Sequence, residues 1–333
     1  MGNVKFGVEI PTYAGAGGAP MGRDAPLYEH IDWKTAKDTV LLAEKLGYDS
    51  IWMADHFILG RDGEIFEIWT SLSAFAALTQ RIELGSLVMC NLHRQPSVLG
   101  KMAATLDHIS NGRVILGMGA GWNEPELNAY GISFPSPAER IARMKEGIKI
   151  MKAMWTEKNP VYRGKYYSID GAVCGPKPVQ VGGPPVIVGA VRPYMLKAAV
   201  EVGDGWNLGD DPTPEVYREK VAIVNEWCKK LGKNYESFTK TWDGHVVIGK
   251  NERELEEKMV ILRKLKLSGE TLTGPLAPDE LLQNCISGTP DGCIEKIKQF
   301  VELGVSHFSL WFLDYPSFGG IRLFAKQVLP EFH

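Results

Sequence analysis

Two hydrophobic periodicities alternate along this chain. Short apolar runs of strand length occur at residues 4–10, 49–53, 82–89, 114–116, 186–189, 204–208, 241–248 and 307–313. Between them lie stretches in which apolar residues recur at helical spacing, at 33–46, 66–78, 96–110, 137–155, 194–202, 215–231, 252–265, 290–303 and 320–329. The densest part runs from Arg81 to Gly131. There an apolar run is followed by Pro96, a natural first helical residue, then by Val98, Met102, Ala103 and Leu106, a Ser110-Asn111-Gly112 stop and the run Val114-Ile115-Leu116. Apolar residues on successive positions of that last run predict a strand covered on both faces, as in a parallel sheet flanked by helices. The segment reads as one βαβ unit.

Eight such strands alternating with helices predict a TIM (β/α)8 barrel, a single domain over residues 1–333. Residues 159–185, rich in glycine, proline and tyrosine, are too long for an ordinary connection and read as an insertion with a hairpin around 162–169. Residues 266–277 read as loop. The glycine-rich segment after Pro11, with Gly15 to Gly18 at its centre, reads as a mobile loop able to close over a site.

Composition narrows the functional class. A net charge of -3 and a pI near 6.2 offer no field for nucleic acid or an anionic membrane, so neither partner is expected. Five scattered cysteines without a C-x-x-C pair suit a reducing cytosol. The N-terminus carries no basic segment with a long apolar run, and no apolar stretch reaches spanning length, so a cytoplasmic protein is expected.

In a barrel, chemistry collects at the C-terminal ends of the strands. Those ends carry Glu9, Asp55 with His56, the segment from Leu87 to Arg94, the segment from Gly119 to Glu126, and Gly189 to Pro193. From the pair alone, Asp55-His56 is best explained as a helix cap beside a satisfied histidine. Its place at a strand end favours an acid or base instead. Glu9 in an apolar strand is either a proton-holding carboxyl or a rim carboxylate. Gly117, Gly119 and Gly121 fail the dinucleotide pattern, because Trp122 stands where the last glycine is required and the next good helix begins only beyond Pro137. Close approach by a flat cofactor is the better account. Gly189, Ala190, Val191 and Arg192 lead into a helix whose first amides could meet a phosphate, with an ordinary turn as the alternative. The histidines, His93 and His245 among them, show no metal spacing and read mostly as surface or packing residues; no metal is expected. Cys90 reads as a small buried hydrophobe beside the site.

FGVEIP, LGYDSIWMADHF, RQPSVLGKMAATLDHISNGRVILGMGAGW, PPVIVG and VGDGWN together resemble the bacterial luciferase-like superfamily of flavin and deazaflavin oxidoreductases. The resemblance covers nearly the whole chain and implies a TIM barrel with an insertion, a homodimer, and coenzyme F420 or FMN at the strands' C-terminal ends. MADHF is similar to the F420-dependent branch, which implies that Asp55 contacts the deazaflavin and that His56 exchanges a proton with substrate. It also implies a strand-three bulge within Ser86, Leu87 and Val88, often with a non-prolyl cis peptide, that backs the ring near Cys90. Ala120, Gly121 and Asn123 match the next cofactor loop, and Val191 with Arg192 the phosphate-binding amides. Trp122 replaces the catalytic glutamate of the sugar-phosphate dehydrogenases, which disfavours that substrate class. FGVE resembles the methylene-tetrahydromethanopterin reductases, where Glu9's counterpart is a proposed proton donor. The expected function is hydride transfer between coenzyme F420 and a small organic substrate, with a methylene-tetrahydropterin or folate as candidate. The alternatives are an FMN-dependent monooxygenase and a non-catalytic flavin-binding protein.

Overall fold

The computed structural model describes residues 4–14, 27–264, 269–271, 274–276 and 284–333. Eight strands pair in parallel and close on themselves. They are β1 (Lys5–Glu9), β2 (Ser50–Met53), β3 (Glu83–Ser86), β4 (Val114–Gly119), β5 (Val186–Gly189), β6 (Gly205–Leu208), β7 (Thr239–Ile248) and β8 (His307–Phe312). Each pairs with the next, and β8 returns to β1. This is the expected TIM barrel.

Helices α1 (Trp33–Leu46), α2 (Ile68–Leu78), α3 (Pro96–Ser110), α5 (Pro137–Thr156), α6 (Pro193–Val202), α7 (Pro214–Leu231), α8 (Glu252–Lys264), α9 (Pro290–Glu302) and α10 (Gly319–Gln327) cover the barrel, and a short α4 (Glu124–Ala129) follows β4. Local signals fix their ends. Asp32 accepts from the Thr35 amide at 2.7 Å to start α1, and Gly47 at φ 94° stops it where a side chain would be strained.

Inside the barrel Trp52 lies across neighbouring strands. A Cβ on Gly7 or Gly85 would sit 2.3 Å or 2.2 Å from its ring, so both positions are open only to glycine. The Trp52 indole donates to Ser50 Oγ at 2.8 Å, and Ser50 Oγ meets His307 Nε2 at 2.7 Å. Burial, with Lys5 adding, lowers His307 to about 3, so this core imidazole is neutral.

The strand-three break implied by the resemblance is present: β3 stops at Ser86, Leu87-Val88 is a cis peptide, and Met89–Cys90 pairs separately with β4, so residues 82–89 are not one continuous strand. Three other expectations are corrected. α4 was not expected before Pro137; its six residues carry too little periodicity to be seen, though Asn123 caps it. The strand Ile286–Gly288 beside β7 was also missed, being three residues long. Gly269–Thr271 and Gly274–Leu276 form a small antiparallel pair within the segment read as loop. The insertion does carry its hairpin, Val161–Arg163 with Ser168–Asp170, tied to α5 by Glu146, which accepts the amides of Lys165, Tyr166 and Tyr167. The Gly15 to Gly18 segment lies outside the described residues.

Candidate active site

A cavity of about 420 Å³ opens at the C-terminal ends of the strands. Glu9, Asp55, His56, Leu87, Val88, Cys90, Ala120, Gly121, Asn123, Gly189, Ala190, Val191 and Arg192 all line it, so residues from the ends of β1 to β5 that are distant in sequence meet at one place. Ser86 does not. Its buried hydroxyl donates to Gly117 O at 3.0 Å and accepts from Gly117 N at 2.9 Å, which ties β3 to β4 beneath the cavity.

His56 is held by a residue that was not singled out in the sequence. Its Nδ1 lies 2.8 Å from Glu126 Oε2, while Glu126 Oε1 accepts from the Phe57 amide and, at 2.9 Å, from the Ile58 amide. Burial would raise Glu126, but the His56 hydrogen bond and charge and the two amides outweigh it, and the carboxyl lies below its usual range. An ionised Glu126 therefore accepts a hydrogen bond from the Nδ1–H and leaves Nε2 to the cavity. Trp122 stands edge-on to His56 at 5.4 Å.

Asp55 is a structural carboxylate at the cavity wall. Arg94 Nη1 donates to both its oxygens, at 3.0 and 2.8 Å, and the Cys90 amide donates to Oδ2 at 2.9 Å. Burial opposes its ionisation, but His93 and Arg94 outweigh that cost and hold it below its ordinary value. His93 Nδ1 lies 3.3 Å from Asp55 Oδ2 without good hydrogen-bond alignment. Despite burial, Asp55 and Cys90 raise this imidazole to about 9. His93 is thus neither a surface residue nor simple packing. Arg94 also bonds Glu67 at 2.7 Å.

Glu9 accepts from Ser309 Oγ at 3.2 Å, and its carbonyl accepts from Tyr315 OH at 2.8 Å. The side of the cavity past β6 was missed: Asn207, Asp210, Asp243, His245 and Trp311 line it. Its signal is visible in TWDGH, where Thr241, Asp243 and His245 alternate on one face of an otherwise apolar strand. His245, read as packing, is buried with Nδ1 2.6 Å from Asp211 Oδ2.

These residues suit a flat anionic cofactor. Leu87 and Val88 provide an apolar bed. At the α6 terminus, Pro193 takes the first helical position, Arg192 makes no side-chain cap, and the amides of Val191 and Arg192 donate to no backbone carbonyl among the described residues. Arg140 Nε, from α5 on the same cavity, is buried with no hydrogen-bond partner among the described residues.

The barrel with its broken third strand and this strand-end cavity defines a cofactor-dependent enzyme class. The family model for luciferase-like monooxygenases matches residues 4–307, and the chain belongs to that family. An F420-dependent glucose-6-phosphate dehydrogenase of Amycolatopsis mediterranei is 28% identical over 306 residues, covering 87% of this chain and 91% of the relative. The coenzyme F420-dependent tetrahydromethanopterin reductase from Methanopyrus kandleri superposes with a TM-score of 0.77 at 21% identity, over 99% of this chain and 100% of that one. A long-chain alkane monooxygenase superposes at 0.81 with 18% identity, over 99% and 91%. At such identities the structural likeness establishes the fold alone, and the fold serves more than one chemistry.

Proposed function

We propose that this protein is an oxidoreductase that transfers a hydride between coenzyme F420 and a small organic substrate. One observation carries the reading: an apolar ring bed, an amide-and-arginine end for an anion and an oriented His56-Glu126 pair share a single cavity. The named relative, an F420-dependent dehydrogenase, supports the choice of cofactor.

Leu87, Val88 and Cys90 would back the ring, Ala120, Gly121 and Asn123 would flank it, and Gly189 to Arg192 with Arg140 would hold the phosphate end. When bound, coenzyme F420 supplies hydride acceptance or donation at a ring carbon. The chain's own part is proton handling. His56 Nε2, with Nδ1 fixed by Glu126, takes the proton from a substrate hydroxyl or amine, or returns it to the atom that gains electron density. Asp55 fixes the loop that carries Cys90 and, pinned by Arg94, stays ionised. Glu9 is the second proton-bearing candidate. The preferred substrate class is a methylene-tetrahydropterin or folate, supported by the FGVE strand and the place of Glu9 in the cavity.

A paired titration of apo-protein with coenzyme F420 and FMN, followed by protein fluorescence, tests the cofactor. Selective F420 binding is expected, and preference for FMN would overturn the reading. The protein is further proposed to act as a cytoplasmic homodimer. Exposed Leu78, Val98 and Ile109 on α2 and α3 support an interface there, and sedimentation reports the state.

A further inference from the structure

Charge is divided across the cavity. Arg140, Arg192 and the amides of Val191 and Arg192, which donate to no backbone carbonyl among the described residues, lie on the side of α5 and α6. The wall contributed by β6, β7, β8 and β1 carries Asp210, Asp243 and Glu9, with Asn207 and Ser309 between the carboxyl groups. Register places Asp243 beside Ser309, and Ser309 beside Gly7, while Ser309 Oγ donates to Glu9 Oε1 at 3.2 Å. A polar arc therefore crosses three adjacent strands.

The chain makes room for these carboxyls. A Cβ on Gly209 would fall 2.3 Å from Asp243 Oδ1, and one on Gly244 would fall 2.4 Å from Asp211 Oδ1. Any side chain at either glycine would displace an acid. Asp243 is half-buried at the cavity wall, and desolvation there, followed by the charge of Asp210 and a smaller push from Asp211, raises it to about 7. Asn207, by hydrogen bonding, and His245, by charge, pull the other way. Asp211 is engaged by His245 through both N and Nδ1, each at 2.6 Å, and Lys296 of α9 acts on Asp211. Glu9 stands beyond Ser309.

We propose that Asp243 faces the substrate and, as a carboxylate, makes the cavity select uncharged or cationic reacting groups over phosphate-bearing ones. The cofactor assignment rests on the oxidoreductase reading; the charge selection does not. A phosphate dianion needs cations or aimed amides, and in this cavity Arg140, Arg192 and the amides ahead of α6 are those assigned to the cofactor's own anion. Near the acidic wall it meets like charge that low local dielectric strengthens. The glucose 6-phosphate named for the relative is therefore a poor substrate for this chain.

The test uses F420-loaded wild type and D243N, with D243S as a second variant should D243N not fold. Glucose 6-phosphate is titrated into each, one pH unit above and one below the Asp243 value of about 7, and followed by protein fluorescence and F420 absorbance. At the higher pH, D243N should bind the probe about tenfold more tightly than wild type, and the ratio should shrink at the lower pH, where the wild-type carboxyl is protonated. Taking the ratio cancels the probe's own titration. Carbon-13 NMR of aspartate-labelled protein should show one carboxyl titrating near 7 that disappears in both variants. A ratio of one at both pH values, rapid F420 reduction by glucose 6-phosphate in wild type, or a near-neutral carboxyl signal that persists in the variants would each overturn the proposal. Loss of F420 binding in every protein would instead defeat the cofactor reading, because the charge ratio can also be read on apo-protein.

Discussion

Glu126 decides what His56 can do. As a carboxylate it accepts a hydrogen bond from the Nδ1–H and leaves Nε2 free to take a proton. In Glu126→Gln, the amide oxygen would remain on the Phe57 and Ile58 amides and the amide nitrogen would donate to Nδ1, so Nε2 would carry the hydrogen. This variant should lose turnover in both directions, as measured by initial rates each way. His56→Gln should lower turnover by ~10²-fold or more while F420 affinity changes little; unchanged turnover would remove His56 from the mechanism. Asp55 is pinned by Arg94 and the Cys90 amide. Asp55→Asn leaves Arg94 with half its partners in a buried setting and should cost about 3 kcal/mol in chemical denaturation. Both Asp55 and Glu126 have depressed folded-state pKa values. Their stabilisation is present above the unfolded carboxylate range and is lost as pH falls through the folded values. The melting temperature of wild type should therefore drop on acidification, and that of Asp55→Asn should drop less.

Elements set the site by where they stop. β3 ends at Ser86 because Ser86 Oγ bonds both backbone groups of Gly117, and the chain then turns to place Leu87, Val88 and Cys90 in the cavity. The barrel below must be filled for those ends to hold their spacing, and Trp52 fills it only because Gly7 and Gly85 face it. Gly7→Ala should destabilise by about 1–3 kcal/mol through overpacking, read as a shifted denaturation midpoint. Of these features, the strands, the helix starts at Pro96, Pro137 and Pro193, and the insertion hairpin were legible, since each depends on local spacing or on a fixed proline φ. The break in β3 was not legible from periodicity, because Ile82, Leu84, Leu87, Val88 and Met89 give a run of strand length whether or not the strand is continuous. It was expected only through the resemblance to a known family.

At the scale of the whole molecule, a net charge of -3 says little, because the cavity separates its own charges. If the α5–α6 side binds the anionic end of F420, affinity should fall as salt rises, and Arg192→Ala should weaken F420 more than the same deazaflavin lacking its phosphate. Equal losses for both ligands would place Arg192 elsewhere. In the described residues no helix is long and apolar enough to cross a membrane.

The sequence by itself determined the alternation of strands and helices, and hence the barrel and the end of it that carries chemistry, because burial on both faces and helical spacing are written in neighbouring residues. It also named most of the residues that meet in the cavity. Only the tertiary structure decided their partners: that Glu126 holds His56, that Arg94 and His93 surround Asp55, and that Ser86 lies beneath the site. It alone brought Asp243 to the cavity that Arg140 and Arg192 also line. Those relations join residues tens to hundreds of positions apart, and they depend on strand register and loop closure, which no local pattern of hydrophobicity records.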